Sequence, residues 1–180
     1  MKTLSKLAAI AAFIGTALLG TQAMAQTAPA DPWHLGIGIE GGIPTGDISS
    51  YSHFELGGNA RLQYDLSPVF SLMLTSGYDN IFSRQTVTIN GTLFSDERVN
   101  LGIIPVKAGA KVFFAKNLYA DGEAGAGFET TGPKQTKLIL SPGIGWSDTH
   151  WDVGLRYENY SGESNNFGAV MLRLAYGFKL

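Results

Sequence analysis

Three histidines, His34, His53 and His150, are the side chains best suited to proton transfer near neutral pH. Only His53 has useful neighbours, with Ser52 before it and Glu55 two residues on. A serine, a histidine and a carboxylate are the parts of an acyl-transfer centre, in which the imidazole takes the hydroxyl proton and the acid orients the ring. The mutual geometry this needs does not follow from the spacing, and a polar loop histidine is ordinarily just solvated. The histidines lie too far apart in sequence to suggest a metal site. Cysteine is absent, which removes disulfides, thiolate zinc sites and a cysteine nucleophile. Gly36-x-Gly38 and Gly125-x-Gly127 are followed by no helical pattern, so they are not phosphate-cradling loops. No catalytic residue, cofactor or metal is therefore expected. With 13 basic against 15 acidic residues, no field favours nucleic acid.

The remaining charges are more orderly. Glu40, Glu55, Arg61, Lys107, Lys111, Asp121, Glu123, Asp152, Arg156, Glu158 and Arg173 all fall in one phase of a period-two alternation. In the other phase stand Trp33, Leu35, Ile37 and Ile39, then Leu56 to Tyr64, Phe70 to Tyr78, Val106 to Phe114 and Leu118 to Phe128. Leu138 to Trp146, Trp151 to Tyr157 and Val170 to Leu180 complete eight such sets. Alternation over about ten residues marks a strand with two different environments. Abundant glycine and aromatics with only 16% charged residues suit strands better than helices. The connections Leu66–Val69, Ala115–Asn117 and Ser147–His150 are short, and Gly42–His53, Asn80–Arg98, Thr130–Thr136 and Ser161–Asn166 are longer. An even strand count puts both chain ends on the short-turn side.

Residues 1–25 read as a leader. Lys2 and Lys6 precede the apolar run Leu7–Gly20, and Ala23-Met24-Ala25 offers small residues at the two positions a signal peptidase reads. Cleavage is expected between Ala25 and Gln26, leaving a periplasmic tail over residues 26–32 and one domain over 33–180. The apolar run is short of the roughly 20 residues that span a bilayer, and no later segment approaches that length.

The face that carries the charges decides the class. A lipocalin-like cup or a β-sandwich would put them in water and need a continuous apolar interior. Here the charges sit mid-strand, separated by small residues, as in the narrow lumen of an eight-stranded barrel. The other face has aliphatic residues in its middle and aromatics at both ends, the arrangement a bilayer selects on a barrel exterior. Ten residues at about 3.3 Å each, tilted by about 40°, rise roughly 25 Å, the height of an outer-membrane apolar band. Closure follows, because an open edge in lipid leaves backbone groups unpaired. The expected fold is all-β, an eight-stranded antiparallel up-and-down transmembrane β-barrel. Glu40, Arg61, Lys107, Lys111, Glu123, Arg156 and Arg173 are expected to pair as an ion-pair plug, since buried charges must be compensated.

The stretch IIPVKAGAKVFFAKNLYADGEAGAGF (Ile103–Phe128), with LSPGIGW (Leu140–Trp146) and DVGLRYENY (Asp152–Tyr160), resembles the small outer membrane protein beta-barrel domain family. The resemblance covers Trp33–Leu180 and is architectural. The wider group includes eight-stranded barrels of the OmpA/OmpX type, and the resemblance implies a structural, adhesive or resistance-related role without enzymatic activity. Ending with the barrel, the chain is expected to carry no peptidoglycan-binding domain. The last strand, Leu172 to Leu180, resembles the signal read by barrel-assembly machinery, except that it ends in Leu with the aromatic Phe178 two residues earlier. The expected surroundings are outer-membrane lipid and that machinery, with the outer loops available to an extracellular ligand. Two other functions stay open. One is a narrow conduit for small solutes. The other is a lipid A-modifying enzyme built on His53.

Asn90-Gly91, between Thr86–Ile89 and Thr92–Phe94, is a two-residue hairpin signal, and it explains Asn90-Gly91-Thr92 better than a glycosylation sequon does. Strands three and four are thus expected to protrude, with Arg84 opposite Glu97 and Tyr78 opposite Ile103. Apolar parity is odd at Val99, Leu101 and Ile103 but even from Val106. A β-bulge near Ile104-Pro105 is expected to absorb the extra residue, with a second at Pro142.

Overall fold

The computed structural model describes residues 31–180 apart from 51, 90–91, 132–133 and 163–165, and leaves aside the side chains of 47, 50 and 84–99. The leader with its Ala25/Gln26 junction and the Asn90-Gly91 turn lie outside the described residues.

The alternating segments form eight strands: β1 (Trp33–Gly46), β2 (Ser52–Ser67), β3 (Phe70–Ile89), β4 (Thr92–Ala115), β5 (Leu118–Glu129), β6 (Thr136–Ser147), β7 (Trp151–Ser161) and β8 (Phe167–Lys179). A single turn of 3-10 helix, Asp47–Ser50, follows β1. Every neighbouring pair is antiparallel, and β8 returns to β1, with Glu40 opposite Arg173, so the sheet closes into a barrel in chain order. Among the described residues no helix is long and apolar enough to cross a membrane.

The two faces sort as the alternation requires. Ile37, Leu74, Leu155 and Leu172 lie outward and exposed, whereas Arg61, Lys107 and Lys111 are at most 2% exposed in the lumen. Trp33, Phe114, Trp146, Trp151 and Phe178 ring the short-turn end of the exterior, and Phe54, Tyr78, Phe82, Phe128 and Tyr157 the opposite end. The short turns are tight. At Lys116-Asn117 the chain reverses with Asn117 at φ 66°, a left-handed conformation that Asn tolerates. The Asn117 side chain donates to the Ser147 carbonyl at 2.8 Å, tying that turn to β6.

Several local expectations are corrected. The Gly42–His53 connection is mostly strand, since β1 runs to Gly46 and β2 begins at Ser52. β3 and β4 are long, at 20 and 24 residues, and pair out to Ile89 and Thr92. Their register is displaced by one: Arg98, not Glu97, is opposite Arg84, and Asp79, not Tyr78, is opposite Ile103. The cause is an irregularity between Thr86 and Thr88, close to the hairpin tip. It absorbs the extra residue, so the expected bulge near Ile104-Pro105 is not needed. Through Pro105 the β4–β5 register is unbroken, and the β3–β4 register is the same on either side of it.

Pro142 likewise sits in a continuous register with β5, without a second bulge. Each proline instead lies where one flanking ladder lapses. Pairing of β4 with β3 is interrupted between Val106 and Ile103, and pairing of β6 with β7 between Leu140 and Gly143. A residue without an N–H costs a ladder bond on one side only.

Candidate functional site

The lumen side chains lie in levels, described here from the short-turn end upward. Asp65 accepts from Gln63 at 2.7 Å and Ser71 at 2.6 Å and faces His34 Nε2 at 3.0 Å. Deeper in, Asp152 gathers three partners: Lys111 Nζ at 2.5 Å, the Tyr119 hydroxyl at 2.7 Å and Arg173 Nη1 at 3.2 Å. The Lys111 ammonium also lies 4.1 Å from the centre of the Tyr119 ring, a cation–π distance. Arg173 Nε donates to Asn59 Oδ1 at 2.9 Å.

At mid-barrel Glu123 is the hub. Its Oε2 receives Arg61 Nη2 at 3.1 Å and Arg156 Nη1 at 3.0 Å, and its Oε1 receives the Thr75 hydroxyl at 2.5 Å. Above it Glu158 pairs closely with Lys107 and accepts from Ser141 at 3.2 Å and from Tyr160 at 2.7 Å. Tyr160 also reaches Glu55 at 3.2 Å. The far end is mixed: Ile48, Ile81, Ile103, Ile139, Tyr160 and Phe167 pack into one buried cluster, with Leu101 against it, and Glu55, Asp79, Glu129 and Lys137 are buried beside them. This cluster explains the odd-parity residues of β4. Ile103 faces the lumen, where it joins this cluster, while Ile104 faces out.

Glycines make room for these groups. A Cβ on Gly145 would collide with the Tyr119 ring, and one on Gly109 would come within 2.8 Å of Glu123 Cγ. Large lumen side chains therefore lie across bare backbone on neighbouring strands, which is how they fit into a narrow barrel.

All seven residues singled out from the sequence point into the lumen and are buried. Arg61, Glu123 and Arg156 converge directly, while Lys107, Lys111 and Arg173 bond to Glu158 and Asp152 instead. Glu40 is the outlier. Its nearest cation contact is Arg156 at 3.8 Å, and neither of its oxygens has a hydrogen-bond partner. Asp152, Glu158, Tyr119, Tyr160 and Thr75 were not singled out as pairing partners. Each lies in the same alternation phase as its strand's charges, so the signal was present.

The Ser52–His53–Glu55 trio is not assembled. Ser52 is buried and shares a close hydrogen bond with Ser83, Glu55 is buried beside Tyr160, and His53 is exposed. His34 and His150 lie at the short-turn end, the first against Asp65 and the second beside the Tyr176 ring. Among the described residues no three His, Asp or Glu side chains form a metal-holding group.

No protein-family model matches the sequence, and no curated protein does. Solved structures do. Ail, the attachment invasion locus protein of Yersinia pestis, aligns with a TM-score of 0.53 at 15% identity over 82% of this chain and 99% of that one. Neisserial surface protein A aligns with a TM-score of 0.51 at 12% identity, covering 82% and 97%. A de novo designed transmembrane β-barrel gives 0.50 at 17%, covering 82% and 97%. At such identities the likeness is one of fold. The fold is thus that of the eight-stranded transmembrane β-barrels, and the resemblance to small outer-membrane barrels holds at that level.

Proposed function

We propose that this protein is an outer-membrane barrel of a diderm bacterium with a structural or surface-interaction role, its lumen closed by a plug of ion pairs. The leader would deliver it to the periplasm, and β8 would present the assembly signal. The long β3–β4 hairpin and the other outer connections would be the surface offered outside the cell. The observation that carries this reading is the filling of the lumen. Successive levels hold charges, all but Asp152 fully buried, that compensate one another, Arg61, Glu123 and Arg156 above Lys111, Asp152 and Arg173, with a cluster of isoleucines and aromatics toward the far end. Buried charge without such compensation would be too costly to keep.

A plug of this kind blocks ions, so the purified barrel in planar bilayers is expected to be silent. Steady unitary currents from the wild-type chain would favour the narrow conduit instead. Localisation is tested by fractionation with unheated and boiled gel electrophoresis. The folded barrel is expected in the outer-membrane fraction, with a mobility that changes on boiling. The separation of Ser52, His53 and Glu55 supports a non-enzymatic role. Lipid A acyl chains are expected to be the same in cells with and without the protein.

A further inference from the structure

We infer that the short-turn end of the lumen is a binding pocket for a small oxyanion, a carboxylate or phosphate group, held by Arg173 and Arg61 beside the bare backbone of Gly36. This goes beyond the plug reading: Arg61 and Arg173 belong to the plug's lower levels, and the binding test does not depend on whether the lumen conducts.

A cavity of about 840 Å³ opens among the turns that follow β2, β4 and β6 and reaches inward to both arginines. Its acids are already engaged. Asp65 is held by His34, Gln63 and Ser71, and Asp152 by Lys111, Tyr119 and Arg173. Asp148 accepts the backbone N–H groups of His150 at 2.8 Å and Trp151 at 2.7 Å.

Two donors of these arginines lack a hydrogen-bond partner. Arg173 spends Nε on Asn59 and Nη1 on Asp152, and its Nη2 has no hydrogen-bond partner. Arg61 spends Nε on Thr75 and Nη2 on Glu123. Its Nη1 also has no hydrogen-bond partner and lies 3.7 Å from the nearest Asp121 oxygen. The two residues are 2% and 1% exposed, for Arg61 and Arg173 respectively, and each feels the other's positive charge. A buried cationic N–H can only donate, so its complement is a negatively charged acceptor.

The backbone leaves space for one. Gly36 pairs with Arg61 on β2 and with Gly177 on β8, so two neighbouring positions of the wall carry no side chain. A Cβ on Gly36 would stand 3.5 Å from Arg173 Nη2, so that edge of the guanidinium, itself buried, lies against the bare face of the glycine. The cavity lies among the short turns, so a ligand would come and go there, past Lys116 and Lys179.

The test is calorimetric titration of the full mature chain, folded in detergent at constant ionic strength. The probes are inorganic phosphate, diglycine and, as control, diglycine amide. Saturable 1:1 binding of phosphate or diglycine but not of the amide is expected. Tighter binding of diglycine assigns the site to a peptide carboxylate, and tighter binding of phosphate to a phosphate group. Arg173→Gln is expected to weaken binding about tenfold or more, the usual loss for a charged hydrogen bond. Because that variant removes a buried charge, Gly36→Leu provides a second reading. It keeps both guanidiniums, fills the space beside Arg173 Nη2, and is expected to abolish binding while the barrel still shifts on boiling. Gly36→Ala, whose methyl meets only ordinary contacts, is expected to bind like wild type. No saturable binding by the wild-type chain at millimolar probe would overturn the proposal. So would binding that survives Gly36→Leu.

Discussion

Lys111 of β4 reaches across the lumen to Asp152 of β7, with Nζ 2.5 Å from Oδ2, and so joins two strands that share no ladder. The contact is one of several chords through a barrel whose rim is held only by nearest-neighbour hydrogen bonding. Asp152 also anchors Tyr119 and Arg173, so a single carboxylate compensates two cations. Asp152→Asn is expected to lower the stability of the folded barrel by about 3–5 kcal/mol, the range for stranding a buried charge. Urea unfolding in detergent measures it. A loss under 1 kcal/mol would mean that the cations find other partners.

The apolar cap should behave as an ordinary core although it sits inside a polar lumen. Ile139 is fully buried within it. Ile139→Ala is expected to cost about 2–5 kcal/mol, as large-to-small changes in packed interiors do. The outward-facing Ile144→Ala, at a position 59% exposed, is expected to cost clearly less in the same unfolding assay. Equal losses at the two positions would argue against a packed cap.

Asn117 is asked for a conformation that a β-branched residue avoids. Asn117→Val is therefore expected to cost about 1–3 kcal/mol. Asn117→Gly, which keeps the turn but loses the bond to the Ser147 carbonyl, should lie between the two. Refolding yield and unfolding midpoints of the three proteins rank them, and a Val variant as stable as wild type would contradict the turn geometry.

Asp148, fully exposed in the β6–β7 turn, has its carboxyl held below the usual aspartate range by the backbone N–H groups of Trp151 and His150. A depressed folded-state value means that the carboxylate favours the folded turn at neutral pH. That contribution is present above the unfolded-state value and is lost as pH falls through the lower folded one. Nuclear magnetic resonance titration of the Asp148 carboxyl is expected to show the lowered midpoint, and Trp151→Pro, which removes one donor, should move it back up. An ordinary midpoint in the wild-type chain would contradict the turn as described.

The eight strands, the closed sheet and the sidedness of Arg61, Lys111 and Leu174 were legible because alternation reports each residue's face directly. Height along the barrel was not. Leu101 and Ile103 are apolar in the charged phase, and period alone does not reveal that an apolar cluster forms in the lumen at their level. Counting from a two-residue turn put Arg84 one place wrong, because the irregularity at Thr86 and Thr88 lies in a run of threonines without a distinguishing residue. The lumen residues were identifiable, but their partners were not. Glu123 meets Arg61, 62 residues away, only once shear and closure are set by the whole sheet.

The most direct test of the account is the sidedness of the wall in lipid. The native chain has no cysteine, so single sites can be labelled without interference. Leu74→Cys and Leu155→Cys, each carrying a fluorophore in the barrel reconstituted in bilayers, should be quenched strongly by nitroxides on lipid acyl chains and hardly at all by aqueous iodide. Strong iodide quenching at both sites, with protection from the lipid nitroxides, would mean that the apolar face does not meet hydrocarbon.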